Sequence, residues 1–140
     1  MRDIRKLTQQ IVRSHKTCNP FDICQDLNIT VFFRSLGSVR GVFQKNSRKK
    51  IIHINSELHE AVMRQICAHE LGHALLHDHN NAFFLDGYTF ANLNKYEREA
   101  NIFASELLIN DLPKVGYTIE DIAKIYRVEE ELVEYKLNLL

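Results

Sequence analysis

Along the first fifteen residues the apolar side chains Ile4, Leu7, Ile11 and Val12 recur at helical spacing between charged and amide residues, which predicts a helix with one buried face. The stretch NPFDICQDLN opens on Asn19, able to cap a helix, and on Pro20, whose fixed φ suits the first helical position, so a second short helix is expected. From Thr30 the pattern changes. TVFFRSL, VRGVFQK and KIIHIN are rich in β-branched and aromatic residues, Gly37 and Gly41 punctuate them, and NSRKK supplies a polar turn. These segments predict a small antiparallel sheet. Asn55 or Ser56 can then cap a longer helix, with Glu57 and Glu60 near its positive end, and the apolar pattern continues through HEAVMRQICAHELGHALLH. DHNNAFFLDGYTFANLN has no clear period and is long enough for a functional loop. Helical spacing resumes in KYEREANIFASELLI, which Pro113 ends; Thr118 caps IEDIAKIYR, and VEEELVEYKLNLL forms a last helix. The order is helices, then strands, then helices, an α+β arrangement.

At 140 residues the chain is long enough for one core and short for two. No repeat, linker or low-complexity tract divides it, so residues 1–140 are read as a single domain with a peripheral N-terminal helix at about 1–17. Hydrophobic residues make up 45% and charged residues 26%, as in ordinary globular proteins. Eighteen basic and eighteen acidic residues cancel, so no global field draws the chain to nucleic acid or to an anionic membrane. The charged N-terminus has no secretory apolar run and no segment is apolar enough to span a bilayer, which predicts a cytoplasmic protein. Cys18, Cys24 and Cys67 are odd in number and lack a C-x-x-C pair, so free thiols are expected; Cys67, two residues before His69, reads as a small buried hydrophobe.

The chemistry concentrates in AHELGHALLH, residues 68–77. Residues four apart on a helix point nearly the same way, so His69 and His73 aim two imidazoles at one point. Zinc suits that pair, because it takes neutral imidazole nitrogens in a tetrahedral site that can keep one position for water. Glu70 leans beside the metal rather than onto it, where a carboxylate can serve as general base for a water attacking a carbonyl. The motif is short enough to arise by chance, and its context argues otherwise. Gly72 lies between the histidines, where an ordinary helix avoids glycine at a cost of about 1 kcal/mol; a small residue there lets a backbone or a substrate approach.

Two histidines require a third protein ligand, expected on a neighbouring helix. In KYEREANIFASELL, Glu97 and Asn101 share a face, so Glu97 can bind the metal while Asn101 accepts a hydrogen bond from a ligating histidine. Glu99 lies about 200° round the helix from Glu97. Glu97 is preferred as ligand because it leaves Ile102, Phe103 and Leu107 free to pack; Glu99 remains the alternative.

HELGHALLH followed after a loop by EREANIFASELL resembles the ImmA/IrrE family of small zinc metallopeptidases from phages, mobile elements and their bacterial hosts. The resemblance covers roughly residues 20 to 140, including IIHINSEL, and departs where LLIND replaces a frequent proline after LL. It implies a zincin-like core with a gluzincin type of site holding one zinc ion, with His69, His73 and Glu97 as ligands and Glu70 as base. It further implies an endopeptidase whose protein substrate is a helix-turn-helix repressor, cleaved to relieve repression of a mobile element or stress regulon. Some relatives carry an additional DNA-binding or sensory domain, for which this chain has no room.

A donor for the oxyanion is also wanted, and His77, Tyr88, Tyr96 and His59 are candidates that spacing does not separate. A substrate strand could add beside KIIHIN, with FFLDGYTF as the opposite wall or as a local hydrophobic plug. Two rival functions stand beside proteolysis. One is a zinc-binding anti-repressor that grips its partner without cutting it. The other makes the tail TIEDIAKIYRVEEELVEYKL a helix-turn-helix, but its second helix offers Glu129, Glu130, Glu131 and Glu134 against Lys136, the wrong sign for phosphate contact.

Overall fold

The computed structural model describes residues 3–77, 90–112 and 115–140, with residues 90–93 described by their backbone alone. The elements are α1 (Ile4–His15), α2 (Pro20–Asp26), β1 (Thr30–Arg34), β2 (Gly41–Asn46), β3 (Lys49–Asn55), α3 (Glu60–Leu76), α4 (Phe90–Leu108), α5 (Ile119–Tyr126) and α6 (Glu130–Lys136). The expected α+β class holds. Asn19 caps α2 by accepting from the Phe21 amide, with Pro20 at the first position. Thr118 and Asp121 form a reciprocal capping box at the start of α5. The last helix is shorter than its apolar pattern: Glu129 stays outside it as the N-cap, and it ends at Lys136, with Leu137 as C-cap and Asn138 in the left-handed region at φ 61°.

The sheet differs from expectation. Its order is β1-β3-β2, with β2 antiparallel to β3 across a Ser47–Arg48 turn but β1 parallel to β3. The sheet is therefore mixed, and KIIHIN runs along its centre instead of an edge. The cause lies in the connection between β1 and β2, which carries the chain past β3 before it turns back. Asn55 holds that connection by donating to the carbonyls of Gly37 and Val39, both at 3.0 Å, while its own oxygen accepts from Glu57 N at 3.0 Å. Asn55 is thus committed to the loop, and the cap of α3 falls four residues later. His59 takes that place, its Nδ1 accepting from Ala61 N at 3.1 Å.

Helix α3 lies between the sheet and α4. Ile52 and Ile54 from the sheet, Leu71 from α3, and Phe103 and Leu107 from α4 are fully buried. Each such side chain contributes about 1.5–3 kcal/mol relative to exposure. Helix α1 closes the far side of α4, burying Ile4 and Thr8. Cys24 and Cys67 are free and buried, their Sγ atoms 3.9 Å apart. Hydrogen bonding to Cys24 together with burial pushes the Cys67 thiol well above its ordinary value. The tail packs onto the domain: Leu132 and Val133 are buried, and Lys136 pairs with Glu106 at 2.6 Å. Among the described residues no helix is long and apolar enough to cross a membrane.

Candidate active site

Two close approaches build the site. Helix α3 has glycine where α4 crosses it: a Cβ on Gly72 would stand 3.2 Å from the Cα and O of Ala100 and 3.2 Å from Phe103 Cδ1. On the other side, a Cβ on Gly41 would overlap Ile66 Cγ2 and lie 3.4 Å from Glu70 Cγ, so glycine there lets β2 lie directly on α3. The half of α3 that bears the motif is consequently enclosed. Glu70 is 7% exposed and His73 2%.

The contacts of α3 with α4 run antiparallel, His69 meeting Asn101 and His77 meeting Glu99. Around the helix Ala100 points between the directions of Glu97 and Glu99, so the two carboxylates reach α3 on either side of the crossing. Glu97 turns to the open side. Its Oε2 lies 2.9 Å from His69 Nε2 and its Oε1 lies 3.0 Å from His73 Nε2. One ligand atom from each of these three residues falls within 4.8 Å of the others. Behind them, His69 Nδ1 lies 2.8 Å from Asn101 Oδ1. His69, Glu70, His73, Glu97 and Asn101 face a cleft of about 570 Å³ whose other wall is Val39 to Phe43.

Residues 24–138 match the family described as the IrrE N-terminal-like domain, a peptidase family. The chain belongs to this family. It is 37% identical over 139 residues to "Uncharacterized immunity region protein 2" of Bacillus phage phi105, covering 95% of this chain and 88% of that protein. It is 33% identical over 144 residues to "Metallopeptidase ImmA" of Bacillus subtilis strain 168, covering 96% of this chain and 84% of that protein. The protein is a metallo-endopeptidase of the IrrE-like family, with a metal ion as cofactor and a protein as substrate.

The donor set fits such an ion, since two imidazole nitrogens and a carboxylate converge beside an open cleft. The electrostatics match. Burial would push the Glu97 carboxyl upward, but hydrogen bonds from His69 and His73 overcome it and hold the group far below its usual range. Burial alone would lower His69, yet its hydrogen bond to Glu97 and the nearby Glu70 charge raise it above its ordinary value. His73, more deeply desolvated and facing His69, falls to about 4. Burial raises Glu70 to about 7 against the opposing pull of His69 and of a hydrogen bond from the Phe43 amide.

Other candidates are placed elsewhere. Glu99 binds His77 at 2.8 Å and not the ligand cluster. His77 is buried against His73 and Tyr96, and His59 is occupied at the start of α3. Glu99, His77, Tyr96 and His59 are not among the residues lining the cleft. Tyr88, most of the FFLDGYTF loop and Pro113 lie outside the described residues. Periodicity gave no sign of Gln65, Arg40 and Glu129, which line one end of the cleft. Arg40 Nη2 and Gln65 Nε2 both donate to Glu129 Oε1, at 2.8 and 2.9 Å.

Proposed function

We propose that His69, His73 and Glu97 hold one zinc ion, that Glu70 is the general base, and that the enzyme cuts a helix-turn-helix repressor to relieve repression of a phage, mobile element or stress regulon. The observation that carries this reading is the convergence of the three ligand atoms within 4.8 Å, with Glu70 beside them at the same cleft. Two imidazoles and one carboxylate suit zinc better than hard oxygen-seeking cations. When bound, such an ion polarises the scissile carbonyl and acidifies the water that attacks it.

The chain's own residues do the rest. Glu70, steered by the Phe43 amide, accepts a proton from the attacking water and returns it to the leaving amine. Asn101 accepts from His69 Nδ1 and thereby turns Nε2 toward the ion. An extended substrate lies along β2, the outer strand on the cleft side, and not along the central β3. The repressor rests on the family resemblance and on a relative named for a phage immunity region.

The test is to incubate the protein with the repressor encoded beside it, with and without chelator and with Glu70→Gln, after measuring bound zinc by elemental analysis. One zinc per chain and cleavage abolished by either change are expected. Cleavage that survives both, or a purified chain that takes up no transition metal, sinks the reading. A Glu70→Gln protein that still relieves repression in full points to action by binding without proteolysis.

A further inference from the structure

We infer that His77 and Glu99 form a relay that fixes the tautomer and ring orientation of His73, so that the two histidines of the proposed metal centre are supported by different chemistry. The inference rests on the reading of His73 as a metal ligand. His73 Nδ1 lies 3.0 Å from His77 Nδ1, and His77 Nε2 lies 2.8 Å from Glu99 Oε1. A nitrogen facing a nitrogen at that distance needs one proton between them, so one ring donates and the other accepts. A ligating His73 must offer its Nε2 lone pair, which puts its proton on Nδ1 and makes it the donor. His77 must then accept at Nδ1 and carry its own proton on Nε2. That proton points at the Glu99 carboxylate. The opposite tautomer of His77 would set an Nε2 lone pair against the lone pairs of the carboxylate oxygen. With His73 Nε2 given to a metal instead of donating to Glu97, the three residues therefore admit one arrangement of protons, directed from the metal side of His73 to a carboxylate.

The surroundings hold that arrangement in place. The side chains of His73 and His77 are 3% and 2% exposed, so bulk water is kept from either ring. His77 is the C-cap of α3, its amide donating to the His73 carbonyl at 2.8 Å, and the Tyr96 ring packs on its imidazole with centroids 4.4 Å apart. Glu99 is one-fifth exposed and anionic, whereas the corresponding support for His69 is the neutral amide of Asn101. The distal nitrogen of His73 meets an imidazole that is itself anchored by a carboxylate, whereas that of His69 meets an amide directly. The relay fixes which nitrogen of His73 carries the proton and how its ring is turned. His77 and Glu99 are positioning residues: they touch neither substrate nor metal.

The test compares the full chain with His77→Phe, His77→Asn and Glu99→Gln, reading zinc affinity by competition with a chromophoric chelator, with circular dichroism to confirm folding. Phenylalanine fills the volume and keeps the packing on Tyr96 but cannot accept, so affinity falls about 10- to 100-fold. Asparagine places an acceptor oxygen where Nδ1 stood and restores most of the loss. Glu99→Gln keeps an acceptor without the charge and falls between parent and His77→Phe. In the zinc-loaded parent, nitrogen-detected magnetic resonance places the proton of His73 on Nδ1 and that of His77 on Nε2, a readout that stands even where a variant fails to fold. A His77→Phe protein that binds zinc as tightly as the parent, a His77→Asn protein as weak as His77→Phe, or a proton on His77 Nδ1 overturns the relay alone. A parent that binds no zinc overturns the metal reading itself.

Discussion

Substituting Gly72 by alanine sets helix propensity against packing at a place where α3 lies close to the backbone of α4. Propensity favours alanine by about 1 kcal/mol in a helix interior. The new Cβ, however, would lie 3.2 Å from Ala100 Cα, Ala100 O and Phe103 Cδ1. Comfortable carbon contacts are about 3.5–4.0 Å, and two of these neighbours are backbone atoms that cannot swing aside. The helices must part by a few tenths of an ångström, and overpacking of this kind costs about 1–3 kcal/mol. The expected outcome is a net loss of about 1 kcal/mol, seen as a fall of about 3 °C in the melting temperature of the metal-free protein. The same displacement moves α4, and with it Glu97, away from His69 and His73. Zinc affinity therefore falls by about ten-fold, the lower end of the cost of disturbed ligand support. Thermal denaturation followed by circular dichroism measures the first quantity and chelator competition the second. A Gly72→Ala protein that gains about 1 kcal/mol and binds zinc like the parent would refute the close crossing.

Other outcomes follow from the same geometry. The Glu70 carboxyl is raised from 4.5 to about 7, so stability conferred by its bound proton is full below pH 4.5 and is lost as pH rises to 7. Metal-free Glu70→Gln should therefore gain on the parent across that window and level off above it, by at most about 3 kcal/mol, in denaturant titrations at pH 4.5 and 8. On the proposed reading of the site, zinc must displace the proton of His69, whose value is raised, so affinity should fall about ten-fold per pH unit below it; His73, at about 4, adds a second proton only in stronger acid. Competition titrations from pH 8 to 5 check this, and a flat profile contradicts it. Thr118→Ala removes half of the capping box on α5 and should cost about 1 kcal/mol without altering zinc affinity, because α5 carries no residue of the cleft.

What the sequence by itself determined was local. The pairing of His69 with His73 is a property of one helix turn, and the caps at Asn19 and Thr118 depend on side chains reaching amides two or three residues away. Such features need no partner from elsewhere in the chain. The choice of Glu97 over Glu99 was legible only as a preference, from the faces that leave Phe103 and Leu107 to pack. Tertiary structure decided what depends on docking. Only the crossing of Gly72 over Ala100 sends Glu97 to His69 and His73 and Glu99 to His77. Strand composition says nothing of strand order, so the parallel pairing of β1 with β3 and the outward position of β2 could not be read from a run of β-branched residues. Asn55 shows the same division: its side chain is a good helix cap by type, yet the loop carbonyls of Gly37 and Val39, distant in sequence, claim its donors once the sheet has formed. Periodicity reports which face of an element is apolar, while the partner that covers the face is chosen by the fold as a whole.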